Sequence, residues 1–89
     1  MTREMAEMLA IQALGYLAGD TEQLARFLAL TGVAPEDLRE AASEASFLSG
    51  VLDFFLGDEA TLLAFAASAG IDPAEIAVAR EVLSRHADD

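Results

Sequence analysis

The sequence predicts an all-α fold: a compact bundle of five to six short helices, built as two similar three-helix repeats within one domain, 1–89. Three observations carry this. Nineteen of the 89 residues are alanine, the strongest helix former. Apolar residues recur at three- and four-residue spacing between short Gly and Pro interruptions. Residues 14–41 are also repeated at 52–79, offset by 38 without a gap, with nine of 28 positions identical.

The elements follow in order. The first helix, 3–18, carries Met5, Met8, Leu9 and Tyr16 at helical spacing. Gly15 inside it costs about 1 kcal/mol against alanine, and close approach of a neighbouring helix is the expected reason for it. Gly19 ends the helix, in the left-handed conformation that glycine adopts without a side-chain clash. Asp20 then caps a second helix, 20–31, and Gln23 three residues on makes this resemble a capping box. Gly32 closes it, with Val33 placed for a Schellman contact. Pro35 opens a third helix, 35–44, at the position where a missing N–H costs nothing. Ala34 before it has no capping side chain, but Glu36 and Asp37 suit the helix dipole.

The fourth helix, 46–56, is apolar almost all round and is expected at the centre of the bundle, with Asp53 turned to solvent. No Gly or Pro divides it from the third, so a bent continuous helix across 43–46 competes with two separate ones. Gly57 and Asp58 repeat the first turn and open 58–69, where Ala64, Ala66, Ala67 and Ala69 suit close helix contact. Gly70 and Ile71 end that helix. Asp72 and Pro73 form a complete cap for the last one, 73–86. The repeat units are thus 3–44 and 46–86. Gly19, Asp20, Gly32, Pro35, Gly57, Asp58, Gly70, Asp72 and Pro73 are read as structural punctuation.

Charge excludes whole classes of function. Five arginines, no lysine and 16 acids give a net charge of −11. Nucleic-acid binding needs a basic stripe to replace phosphate counterions, and none exists. An anionic membrane would repel this surface, and no apolar run reaches the ~18–20 residues of a span. There is no cysteine, so neither disulfide nor thiolate chemistry is available. Glu4 and Glu7 interrupt the stretch that a signal peptide keeps apolar, so a cytoplasmic protein is expected.

The remaining candidate sites are thin. His86 is the single histidine, and the chain has no cysteine or second histidine to join it. Glu36, Asp37, Glu40 and Glu44 run along one straight helix, which does not converge oxygens on a cation. Asp20 and Asp58 sit where capping acids sit. No catalytic, cofactor or metal-binding residue is therefore assigned, and no cofactor. Adjacent phenylalanines on a helix point about 100° apart, so one of Phe54 and Phe55 is free to leave the core. Phe55, with the adaptable Met5 and Met8, is the expected partner contact.

The run Leu24–Ala29, then Thr31-Gly32-Val33 to Pro35–Arg39, then Phe47-Leu48 to Val51–Leu56, closing with Leu63–Ala66 and Gly70–Pro73, resembles a small alphaproteobacterial domain-of-unknown-function family of short, stand-alone all-helical proteins. The resemblance covers almost the whole chain. Its motifs are helix ends and core positions, so it implies a bacterial helical protein and carries over no activity, cofactor or catalytic residue.

The function expected is a non-catalytic protein-interaction module with a basic or helical protein partner. The alternative is a small-molecule binder or enzyme with a pocket between the two repeats. A monomer or weak homodimer is expected, because two copies at −11 repel each other.

Overall fold

Side chains at the helix ends set the element order. The Thr2 hydroxyl accepts the Met5 N–H (3.2 Å) and starts α1, Arg3–Ala18. The Asp20 carboxylate accepts the N–H groups of Glu22 and Gln23, both at 3.2 Å, at the head of α2, Thr21–Thr31. A 3₁₀ turn at Pro35–Asp37 leads into the one-turn α3, Leu38–Ala41. The helix α4 spans Ala45–Leu56, α5 spans Glu59–Ala69 and α6 spans Pro73–His86. This is a computed structural model that describes residues 1–86, and there is no strand among them.

The glycines divide into two kinds. Gly32 and Gly70 have φ of +73° and +70°, the left-handed backbone of a helix C-terminus. The Gly32 N–H reaches the Leu28 carbonyl (2.8 Å), and the Ile71 N–H reaches back five residues to that of Ala66 (3.0 Å). Gly19 and Gly57 depart from expectation: their φ values are −78° and −83°, right-handed. The reason lies in the two-residue link to the next helix. The Asp20 N–H bonds the Leu17 carbonyl (3.0 Å) and the Asp58 N–H that of Phe55 (3.1 Å). The last turn therefore tightens and satisfies its carbonyls without leaving negative φ.

A stability comparison follows from this. Gly32→Ala and Gly70→Ala should each lower the free energy of unfolding by about 1–2 kcal/mol, the cost of a side chain in left-handed backbone. Gly19→Ala and Gly57→Ala should change it by less than about 0.5 kcal/mol. Urea midpoints of the four variants decide this, and equal losses at all four positions would contradict it.

The third helix is much shorter than the 35–44 expected. Asp72 accepts the Ala74 N–H (2.9 Å) and launches a regular α6. Ala34 has no such group, so residues 35–37 wind as a 3₁₀ turn and only Leu38–Ala41 is α-helical. The Ser43 hydroxyl donates to the Glu40 carbonyl (2.7 Å), and Glu44 is extended at φ −100°, ψ 127°. The third and fourth helices are therefore separate, without a glycine or proline between them.

The core lies between α1, α4 and α6, which pack mutually, with α2 and α5 against one side. Within it, α4 buries Phe47, Leu48, Ser49, Val51, Leu52 and Phe55. Small side chains let the helices approach, mainly on α1 and on α5 through Ala66 alone. Ala6, Ala10 and Ala13 are wholly buried, whereas Ala64, Ala67 and Ala69 are exposed.

All six aromatic rings form one continuous chain through the core. Corresponding positions of the two copies exchange partners there. Tyr16 packs edge-on to Phe65, and its counterpart Phe54 packs edge-on to Phe27, both at 5.5 Å. Gln23 meets its own counterpart, Thr61, by a 3.4 Å hydrogen bond. Residues 14–41 and 52–79 thus meet through paired contacts at matching positions. The likeness stops at the third helix, one turn in the first half and 14 residues in the second.

Candidate functional site

The three expected contact residues do not lie together. Phe55 has 0% of its surface exposed, which removes it from any contact face. Phe55 stacks with Tyr16 (6.2 Å) and Phe65 (5.1 Å). Phe54 turns the other way onto Phe27, with the Arg26 guanidinium 5.7 Å from its ring centre. Two adjacent phenylalanines thus serve two different neighbours, and neither points freely outward.

Met5 and Met8 do form a surface. They are 56% and 67% exposed on the outer side of α1, and Ile11, which the sequence reading missed, is 51% exposed beside them. No charged side chain occurs between Glu7 and Asp20, so most of the outward face of α1 is uncharged. That charge-free run was the available signal. It was hidden because α1 is apolar on its buried side as well.

Two hollows flank this face. Met1, Met5, Met8, Leu9, Gln12 and Glu75 line one of about 200 Å³ at the N-terminal end. The second, about 330 Å³, lies between α1 and α3. Its α1 wall is Ile11, Leu14, Gly15 and Ala18; its α3 wall is Leu38, Arg39 and Ala42. A Cβ on Gly15 would meet nothing within 4 Å, so close helix packing inside the chain does not explain this glycine. The hollow is apolar except for Arg39, whose aliphatic stem can wall it while the guanidinium stays in water.

Glu36, Asp37, Glu40 and Glu44 are all exposed on the segment that carries α3. Asp37, Glu40 and Glu44 edge a further shallow depression with Gly32, Val33, Ala34 and Ala41. Arg3 pairs with Glu7 at 3.1 Å, Arg26 with Asp58 at 3.8 Å, and Arg80 with Asp53 at 2.8 Å. The hydrogen bond and charge of Asp53 raise the Arg80 pKa above its ordinary value.

Other candidates resolve into structure. Asp20 and Asp58 cap their helices, Asp58 by accepting the Thr61 N–H at 3.3 Å. Where the two halves meet, Gln23 donates to Thr61 and its amide oxygen is buried without a partner. No second polar group converges on that oxygen, so the spot supplies no acid–base pair. Among the described residues no three His, Asp or Glu side chains are grouped to hold a metal ion. No single helix there is long and apolar enough to cross a membrane.

Comparison with known proteins places the chain. No curated protein and no solved structure matches it. A family model described as "Protein of unknown function (DUF3572)" matches residues 3–86, which span all six helices. The chain therefore belongs to the DUF3572 family.

Proposed function

We propose that this protein is a non-catalytic protein-interaction module of the bacterial, alphaproteobacterial cytoplasm. Its contact face is the outer side of α1, and its partner is an amphipathic, basic helix of another protein. The observation that carries this is the group of exposed apolar side chains Met5, Met8 and Ile11 on one helix of a chain of net charge −11. A helix-in-groove partner needs an apolar stripe on the receptor, and the surrounding carboxylates favour a cationic one. Methionine side chains adapt to different partner shapes. Lone exposed apolar residues are ordinary on a monomer, but a contiguous group on one helix face marks a contact site. The same charge opposes self-association, so the free chain is a monomer or a weak, salt-promoted homodimer. Nucleic acid and anionic lipid are excluded as partners on the same ground.

The three methionines, Met1, Met5 and Met8, all lie at this face and give a direct test. Their ¹³C-labelled methyl signals would be followed while an amphipathic peptide of about 18 Leu and Lys residues is added, a length that holds a helix in water. The Met5 and Met8 signals should shift and saturate. Met8→Glu with Ile11→Glu should weaken binding by about tenfold or more, through loss of apolar contact. Unmoved methionine signals, or equal affinity of the double variant, would refute the assignment.

A further inference from the structure

The second half of the molecule shows what the first half lacks. In the second half, α6 lies along α4. Arg80 on α6 donates to Asp53 on α4 at 2.8 Å, and Ser84 meets Ser49 at 3.0 Å. With the offset of 38, Asp53 corresponds to Gly15 and Arg80 to Ala42. Ser49 corresponds to Ile11, and it is buried where Ile11 is half-exposed. In the first half the helix equivalent to α6 ends at Ala41, so its later turns never run over α1. In the other half the corresponding positions carry the Asp53–Arg80 pair, which lies exposed on the surface.

Resting on the docking role of α1, we infer that the partner helix lies on α1 as α6 lies on α4, and that the hollow between α1 and α3 receives one large apolar side chain from it. Three features support this occupant. The floor is a helical glycine with open space above it, a costly choice in mid-helix unless something approaches closely. The walls are apolar, so an anchor there is an aliphatic or aromatic side chain rather than an ion. The neighbouring Asp37, Glu40 and Glu44 are exposed acids, which complement basic residues flanking that anchor. A second copy of the chain brings eleven more net negative charges and is disfavoured as the occupant.

The molecule also supplies its own plug. Gly15→Asp with Ala42→Arg copies the Asp53–Arg80 pair into the first half, fills the hollow and leaves the net charge unchanged. Helicity and unfolding midpoint should stay close to the parent, whereas affinity for the Leu/Lys peptide should fall by about tenfold or more. Gly15→Leu, which fills the same space without any charge, should act alike and serves if the double variant does not fold. Equal binding by the plugged variants, alongside lost binding by the Met8→Glu, Ile11→Glu variant, would overturn the anchor and leave the α1 face standing. Absence of peptide binding by the parent would overturn both. A chain that dimerises tightly in sedimentation runs, and ceases to when Gly15 is plugged, would assign the hollow to a second copy and overturn the foreign helix.

Discussion

Phe55→Ala is expected to lower the free energy of unfolding by about 3–5 kcal/mol, the range for removing a buried aromatic ring. The side chain is fully enclosed and touches three other rings: Tyr16, Phe54 and Phe65. It links the Tyr16–Phe65 pair to the Phe27–Phe54 pair. Native domains of this length are stable by roughly 5–13 kcal/mol, so the loss takes a large part of the total. Phe54→Ala should cost distinctly less, because Phe54 is only half-buried and lies toward α2. Urea denaturation followed by circular dichroism gives both values. A smaller loss for Phe55 than for Phe54 would show that the ring chain is not organised around Phe55.

The second large effect concerns volume added rather than removed. Ala10→Leu places three extra carbon atoms where α1 presses on its neighbours, at a position with no exposed surface. Overfilled cores lose about 1–3 kcal/mol through displaced backbones and strained rotamers. Ala64→Leu, the same change on the exposed side of α5, should move stability by no more than about 0.5 kcal/mol. Thermal midpoints of the pair separate the two cases. A neutral Ala10→Leu would mean that α1 sits farther from its neighbours than its buried alanines indicate.

These variants also show where the sequence was informative. Caps are local chemistry: a carboxylate accepts N–H groups two or three residues ahead, and a glycine reverses φ. Asp20, Asp58, Asp72, Gly32 and Gly70 were therefore readable one residue at a time. Gly19 and Gly57 were misread in conformation because a one-residue link to the next cap tightens the helix end. The third helix was overextended because Pro35 and the acids after it suit a first turn, while the missing cap at Ala34 decides how far that turn goes.

Tertiary choices were harder to read. A helix such as α1 does not declare its buried side, since its apolar residues are spread almost evenly around it. Met5 and Met8 could be identified as adaptable contacts but not located relative to Ile11. The choice between Phe54 and Phe55 depended on which neighbour offered a ring. The hollow over Gly15 needed two things at once: an early end to α3 and a second half showing what normally covers such a face.

One feature of the fold has a consequence for how the protein is made. The helix α4 finds its principal cover in α6, which is synthesised after it. Thirty residues separate the end of α4 from the end of α6. At elongation rates of ~5–20 residues per second, that interval lasts about 2–6 s. Throughout it, Leu48, Val51 and Leu52 lack the helix that later shields them. A nascent chain halted before Pro73 should therefore be captured by holdase chaperones and cut readily by proteases, and release of the α6 segment should end both.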